Sequence, residues 1–247
     1  MLIRPVQDGT LAIGQLSHAW LAGQLARGWG NERFGGVEPR EDVALGAEQH
    51  DVGWALFDLA PRWNPDTGLP RSFLELTVDD HLQIWGDAPT HLMTTSLHAA
   101  LVLSMHGAAL SEARKARDAD AAAKLQEHID TEHARQTELR DRLGVPVEQA
   151  ERTRRQMWTW DGLSLALCHG WDPFVARHVP DADGELIDVA LDVKAGTVDP
   201  WPFSTPTLEV VCEARRLAVR YATEQDMHAG YRAAPVETLR LALAPAA

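Results

Sequence analysis

The hydrophobic period of this chain changes once, and that change limits its fold more than any other feature. From Gln15 to Cys168 apolar residues recur at helical spacing, as in Leu16, Ala19, Trp20, Gly23 and Leu25-Ala26. From about Asp183 onward they approach alternation instead. The alternating sets are Leu186, Val189, Leu191 and Val193, then Leu208, Val210 and Cys212, then Leu217, Val219 and Tyr221, then Leu239, Leu241 and Leu243. A period of 3.6 buries one stripe of a helix, and a period of 2 buries one face of a strand. Helices first and strands last predict an α+β protein, a mainly helical bundle followed by a small C-terminal antiparallel β-meander. The expected units are residues 1–172 and 173–247. A chain of 247 residues is long enough to bury a sizeable core.

Punctuation within the helical part is local. Residues 1–13 read as a short extended arm, and Gly28 to Pro39 as a Gly-rich loop. A helix is expected from about Glu41 to Leu59. The segment Pro61 to Pro70 is dense in turn formers and reads as a rigid crossover or as a lid. Thr77 or Asp79 can cap a short helix over Asp80 to Trp85, and Pro89 fits the start of a longer one reaching about Leu110. A charged helix from Asp118 to Leu143 ends at Gly144. The next runs from Val147 to Cys168, where Gly170-Trp171-Asp172-Pro173 breaks it.

Charge and composition narrow the partners. The formal net charge of −13 argues against binding to nucleic acid or to an anionic membrane, since phosphate contacts need Lys and Arg. A small phosphorylated substrate stays open, because a bound dication reverses the local field. Nine Trp against two Tyr supply core packing, a pocket wall, or both. The two cysteines, Cys168 and Cys212, make no disulfide framework, and the first residues hold no signal-peptide core, so a reducing cytoplasm is expected. No apolar stretch reaches 18 residues, so no transmembrane helix is expected. No oligomeric state is visibly encoded, and a homodimer is the commonest outcome for such a chain.

The residues that carry chemistry are histidines and aspartates. His50 and Asp51 stand together in Gln49-His50-Asp51-Val52-Gly53. Imidazole and carboxylate are ligands for Zn, Fe, Mn and similar divalent ions. His18, His81, His91, His98, His106 and Asp161 also sit on or beside expected helices. His98 and His106 are eight residues apart, so their directions differ by about 80°. Both fall in an almost wholly apolar stretch, where a buried polar ring needs a partner. Asp161, among Trp158, Trp160, Leu163 and Leu165, raises the same question.

The order His18, His50-Asp51, Asp161 resembles that of the HD superfamily of metal-dependent phosphohydrolases and related di-iron oxygenases. That superfamily often carries Lys after its His-Asp-hydrophobic-Gly turn, where this chain has Trp54. A closer resemblance covers nearly the whole chain and is to the bacterial family catalogued as domain of unknown function 3891. It rests on Ser17-His18-Ala19, His50 to Trp54, Asn64 to Pro70, Ser104-Met105-His106-Gly107, Asp161 to Leu165 with Cys168, and Asp199-Pro200-Trp201-Pro202-Phe203. The resemblance implies an HD-like helical bundle holding one or two divalent ions of Fe, Mn, Zn or Ni. His18, His50, Asp51 and Asp161 would hold the first ion. Asp51 would bridge to a second, held by His106 with His81 or His98. Asp51 and His106 are the residues expected to serve catalysis. The implied reaction is hydrolysis of a small phosphoester; the same ligands would also suit a di-iron oxygenase, and Trp54 in place of Lys would suit a non-catalytic binding module.

Overall fold

The computed structural model describes residues 1–218 and 220–246. Its strands form one seven-stranded sheet and a separate hairpin. In chain order they are β1 (Leu2–Val6), β2 (Gly9–Ile13), the small hairpin β3 (Trp63–Asn64) and β4 (Leu69–Pro70), β5 (Phe174–Pro180), β6 (Leu186–Asp192), β7 (Thr197–Asp199), β8 (Leu208–Leu217) and β9 (Val236–Pro245). The large sheet runs β1-β2-β8-β9-β7-β6-β5 and curls into a half-barrel.

This corrects the expected architecture. The sheet is neither small nor C-terminal, and it is not a simple meander. The first residues are not a free arm: they fold into a hairpin whose inner strand pairs antiparallel with β8, from Thr10 opposite Leu217 to Ile13 opposite Ala214. Pro5 is tolerated because β1 lies at the sheet edge. Near the other edge β7 runs parallel to β9, with Thr197 opposite Ala244. β8 is one strand, where alternation suggested two. Val219 lies outside the described residues.

The helices are α1 (Gln15–Gly28), α2 (Arg40–Glu48), α3 (Ala55–Leu59), α4 (Val78–Gly86), α5 (Ala88–Leu92), α6 (Leu97–Lys115), α7 (Ala122–Leu143), α8 (Val147–His169) and α9 (Glu224–Ala233). α1 lies on β8 and α8 on β5 and β1; α2 packs on α1 and α8, α6 packs on α2 and α8, and α7 packs outermost on α6. The helix expected from Glu41 to Leu59 is two helices joined through a 3-10 turn at Val52–Trp54. The one expected from Pro89 to Leu110 is also two, because Ser96 caps a fresh start at α6. α9, which the alternating pattern hid, begins at Thr223, whose hydroxyl accepts the Asp226 N–H. Among the described residues no helix is long and apolar enough to cross a membrane.

Aromatic packing holds the layers together. Trp29 meets Phe34, Trp160 and Phe203 edge to face at 5.4, 5.9 and 5.6 Å. Such pairs add about 0.5–1.5 kcal/mol each beyond the area they bury. Phe203 thereby fastens the Asp199–Phe203 segment to the loop after α1, where Asn31 Nδ2 donates to the Trp201 carbonyl at 2.8 Å. α1 is fastened to β8 by side chains. Ser17 Oγ donates to the Glu213 carbonyl at 2.8 Å and accepts the Glu213 N–H at 2.6 Å. Gln24 bridges both backbone groups of Val211 at 2.8 and 2.9 Å. The thiols of Cys168 and Cys212, remote in sequence, lie 3.9 Å apart where α8 meets β8.

Candidate metal centre

Four parts of the chain deliver five polar side chains to one buried point. His18 comes from α1, His106 from α6 and Asp161 from α8; His50 and Asp51 come from the break after α2. All five are buried, His18 and His50 to 1% exposure each. In a continuous helix adjacent residues point about 100° apart. The break removes that divergence. The Val52 N–H donates to the Gln49 carbonyl and the Trp54 N–H to the Asp51 carbonyl, both at 2.9 Å, which turns the chain tightly at this dipeptide. Gly53 is required here: a Cβ on it would stand 1.9 Å from the Ile84 carbonyl of α4.

Hydrogen bonds fix how the rings face. The Ser164 hydroxyl donates its one proton to the Asp161 carbonyl at 2.8 Å. Toward His18 it can therefore only accept, so His18 Nδ1 is the donor at 2.9 Å. The other nitrogen, Nε2, then points at Asp51 Oδ2, 2.6 Å away. His50 repeats the arrangement: its Nδ1 donates to the Ala47 carbonyl at 2.7 Å. Its Nε2 lies 3.5 Å from Asp51 Oδ2 and 3.4 Å from Asp161 Oδ1. His106 Nε2 is 3.6 Å from Asp161 Oδ2. Two groups with metal-ligand spacing result, His18-His50-Asp51 and His50-His106-Asp161, each with donor atoms within 4.8 Å of one another.

Burial and charge oppose each other at this point. For His50, burial disfavours the charged ring, but the Asp51 and Asp161 carboxylates outweigh it and raise the pKa to about 9. His106 goes the other way: burial dominates over Asp161 and lowers it to about 4. Burial also acts against the Asp161 carboxylate, yet the His50 hydrogen bond and the nearby rings hold it well below the usual range. The centre therefore favours a positive charge between its carboxylates.

A cavity of about 620 Å³ opens over the five residues. Trp54, Trp85, Trp158, Phe73 and Phe174 line it, with Arg114 and Arg117. His81 is on its wall but in neither ligand group. It bonds through Nε2 to Ser111 Oγ at 2.8 Å, and burial, with Arg114 and His128, lowers it to about 4. Trp85 packs against both His81 and His106, at 6.3 and 5.7 Å. His98 is not brought to the site: it is half-buried and lines a separate crevice with Glu38 and Gln149. His91 is exposed on α5. The Pro61–Pro70 loop does not line the cavity. It is a hairpin whose Asn64 Oδ1 accepts the N–H groups of Asp66 and Thr67 at 2.8 and 3.3 Å.

The sequence reading missed Ser164, Arg114 and the paired role of Ser17. Arg114 did carry a signal, since it follows His106 by eight residues on α6, the same offset that separates His98 from His106. That offset allows about 80° of divergence, enough for one neighbour to reach the cavity and the other to miss it.

No curated protein and no solved structure matches the chain. A family profile described as "Protein of unknown function (DUF3891)" matches residues 1–219, which include all five residues of the centre. With most of its length matched, from the first strand to beyond β8, the chain belongs to this DUF3891 family.

Proposed function

We propose that this protein is a metal-dependent hydrolase of a small phosphoester, with a single divalent ion held by His18, His50, His106, Asp51 and Asp161. One observation carries the reading. His18 Nε2, whose partner nitrogen is already the donor, stands 2.6 Å from a buried carboxylate oxygen. A bare lone pair against a carboxylate is repulsive, so a proton or a cation must lie there. The His50 Nε2 belongs to both ligand groups, and one lone pair serves one ion, which favours one ion over two. Ligands at about 2.0–2.2 Å from an ion stand about 3 Å apart when adjacent, and the 2.6–4.0 Å separations here are of that size. Three nitrogens and two carboxylates suit Fe, Mn, Zn or Ni. The order of the ligands along the chain supports kinship of the site with the HD superfamily.

A divalent ion in this centre supplies a Lewis acid for phosphoryl oxygen and brings bound water toward a pKa of about 7. The remaining tasks belong to the chain. Arg114 is anchored by Nη2 on the Leu76 carbonyl at 2.8 Å, and its buried Nε has no partner. It and the exposed Arg117 line the cavity beside Asp118 and offer cationic donors for phosphoryl oxygens. The Trp54 and Trp85 walls put apolar surface beside the centre, which lowers the local dielectric and strengthens these interactions. His81, held near pKa 4, stays uncharged at neutral pH and contributes hydrogen bonding rather than charge.

Elemental analysis of protein purified without chelators, followed by refilling with Mn or Fe, tests the centre. The expected result is about one ion per chain, lost in Asp51→Ala. Protein that stays metal-free after refilling refutes the reading. Phosphate release from a phosphoester panel tests the reaction, and O2 consumption in its place would assign the oxygenase chemistry instead.

A further inference from the structure

The cavity over the metal centre continues past Trp158. A second cavity, of about 540 Å³, shares four lining residues with it: Ala113, Trp158, Gly162 and Phe174. The two form one trough with Trp158 at the join. This tryptophan is 43% exposed, and its ring lies 6.0 Å from that of His106. An indole left open between two cavities presents a flat apolar face to a ligand spanning both. Gly162 sets the width of the join, since a Cβ there would stand 3.0 Å from Phe174 Cζ.

Three guanidinium groups and an imidazole line the second compartment. Arg154 and Arg155 come from α8, Arg177 and His178 from β5, and the one carboxylate facing them is Glu112. Carboxylates outside the lining hold the guanidinium groups in place. Glu151 accepts from Arg154 at 2.7 and 2.8 Å and pairs with Arg155 Nε at 2.8 Å, and Asp188 accepts from Arg177 Nη1 at 2.9 Å. Arg154 Nη1, both terminal nitrogens of Arg155 and Arg177 Nη2 remain for a ligand. The strand is distorted at this place. The β5–β6 register shifts between Ala176 and Val179, and His178 takes φ 57, a left-handed conformation disfavoured outside glycine. Such bulges re-aim side chains beside functional sites.

We propose that the trough takes a substrate in two parts. A phosphoryl end lies over the metal centre, and a planar group bearing a second acidic function stacks on Trp158 with its acid on Arg154, Arg155 and Arg177. Only the phosphoryl end rests on the hydrolase reading above; the planar organic acid is set by the second compartment alone.

The test is calorimetric binding to gel-filtered protein, as isolated and after refilling with Mn, comparing the non-hydrolysable 4-carboxybenzylphosphonate with benzylphosphonate. The two probes share the phosphonate end, so their affinity ratio isolates the second compartment and survives if the protein hydrolyses no phosphoester. The ratio is expected to be at least tenfold in the native chain and to collapse toward one in Arg154→Ala/Arg155→Ala. It should also fall in Arg177→Ala, whose side chain is 68% exposed and leaves the fold intact. Trp158→Leu should weaken benzylphosphonate at least fivefold relative to inorganic phosphate. A native ratio below tenfold, or one that persists in both arginine variants, overturns the proposal.

Discussion

Replacing Ser164 by Ala removes one oxygen atom and tests the logic of the centre. That oxygen is fully buried, donates to the Asp161 carbonyl at 2.8 Å and accepts from His18 Nδ1 at 2.9 Å. Its loss leaves the His18 Nδ1–H without an acceptor, and an unsatisfied buried donor costs about 1–3 kcal/mol. The metal-free ring can avoid part of that cost by moving its proton to Nε2, facing Asp51. Metal binding forces the proton back to Nδ1 and restores the cost in full. The variant should therefore lose roughly 1–2 kcal/mol of metal-free stability. Beyond that it should lose 10–100-fold in metal affinity, about 1.4–2.8 kcal/mol, the usual penalty for deleting a group that orients a ligating histidine. Urea unfolding of the metal-free protein measures the first quantity. Competition of Zn or Mn against a chromophoric chelator measures the second. A metal Kd within threefold of wild type, with His18→Ala abolishing binding, would refute the argument that Ser164 fixes the His18 tautomer.

Three further outcomes follow from the same geometry. Gly53→Ala places a methyl 1.9 Å from the Ile84 carbonyl, so the turn holding His50-Asp51 must shift; urea unfolding should show a loss of about 3 kcal/mol or more, and metal binding should fall with it. His50 has a folded pKa of about 9, above its ordinary 6.5, so its proton stabilises the metal-free fold fully below pH 6.5 and that contribution disappears as pH rises through 9. Unfolding midpoints of metal-free protein should show this decline between pH 6.5 and 9.5, and metal loading, which displaces the proton, should abolish it. Trp160→Ala empties a fully buried site against Trp29 and should cost about 3–5 kcal/mol in the same assay.

What the sequence made legible was local chemistry. α7 and α8 stop where expected because Gly144 and Gly170 take left-handed φ of 66° and 73°, which needs no distant partner. Thr77 caps α4 through a reciprocal bond with Asp80. The His and Asp residues that meet at the buried centre were legible for the same reason, since a buried His or Asp on an apolar helix has few explanations. Pairing was not legible. Whether Thr10 to Ile13 stay a free arm or join β8 depends on residues some 200 positions away. The break at His50 was hidden too, because Ala47 to Leu59 reads as continuous helix, and the close approach of Gly53 to the Ile84 carbonyl involves a helix remote from that segment.

The strand that the sequence reading placed in a C-terminal appendage takes part in building the centre. His18 is aimed by the residue before it: Ser17 is fixed to both backbone groups of Glu213 on β8. β8 is in turn held by β2, which leads through Gly14 directly into α1. The N-terminal hairpin and β8 thus close a loop around the first turn of α1 and fix the backbone that carries His18, whose ring is then held by Ser164 and Asp51. Asp161 and Ser164 reach the same point from α8, which rests on β1 and β5 of the same sheet. A helical bundle alone would leave the axial position of α1 relative to α8 to side-chain packing, which tolerates shifts of the order of an ångström. A buried cluster with a 2.6 Å His18–Asp51 contact does not. Backbone hydrogen bonds to a sheet have fixed registers, and that gives a physical reason for a largely helical site to be built on strands.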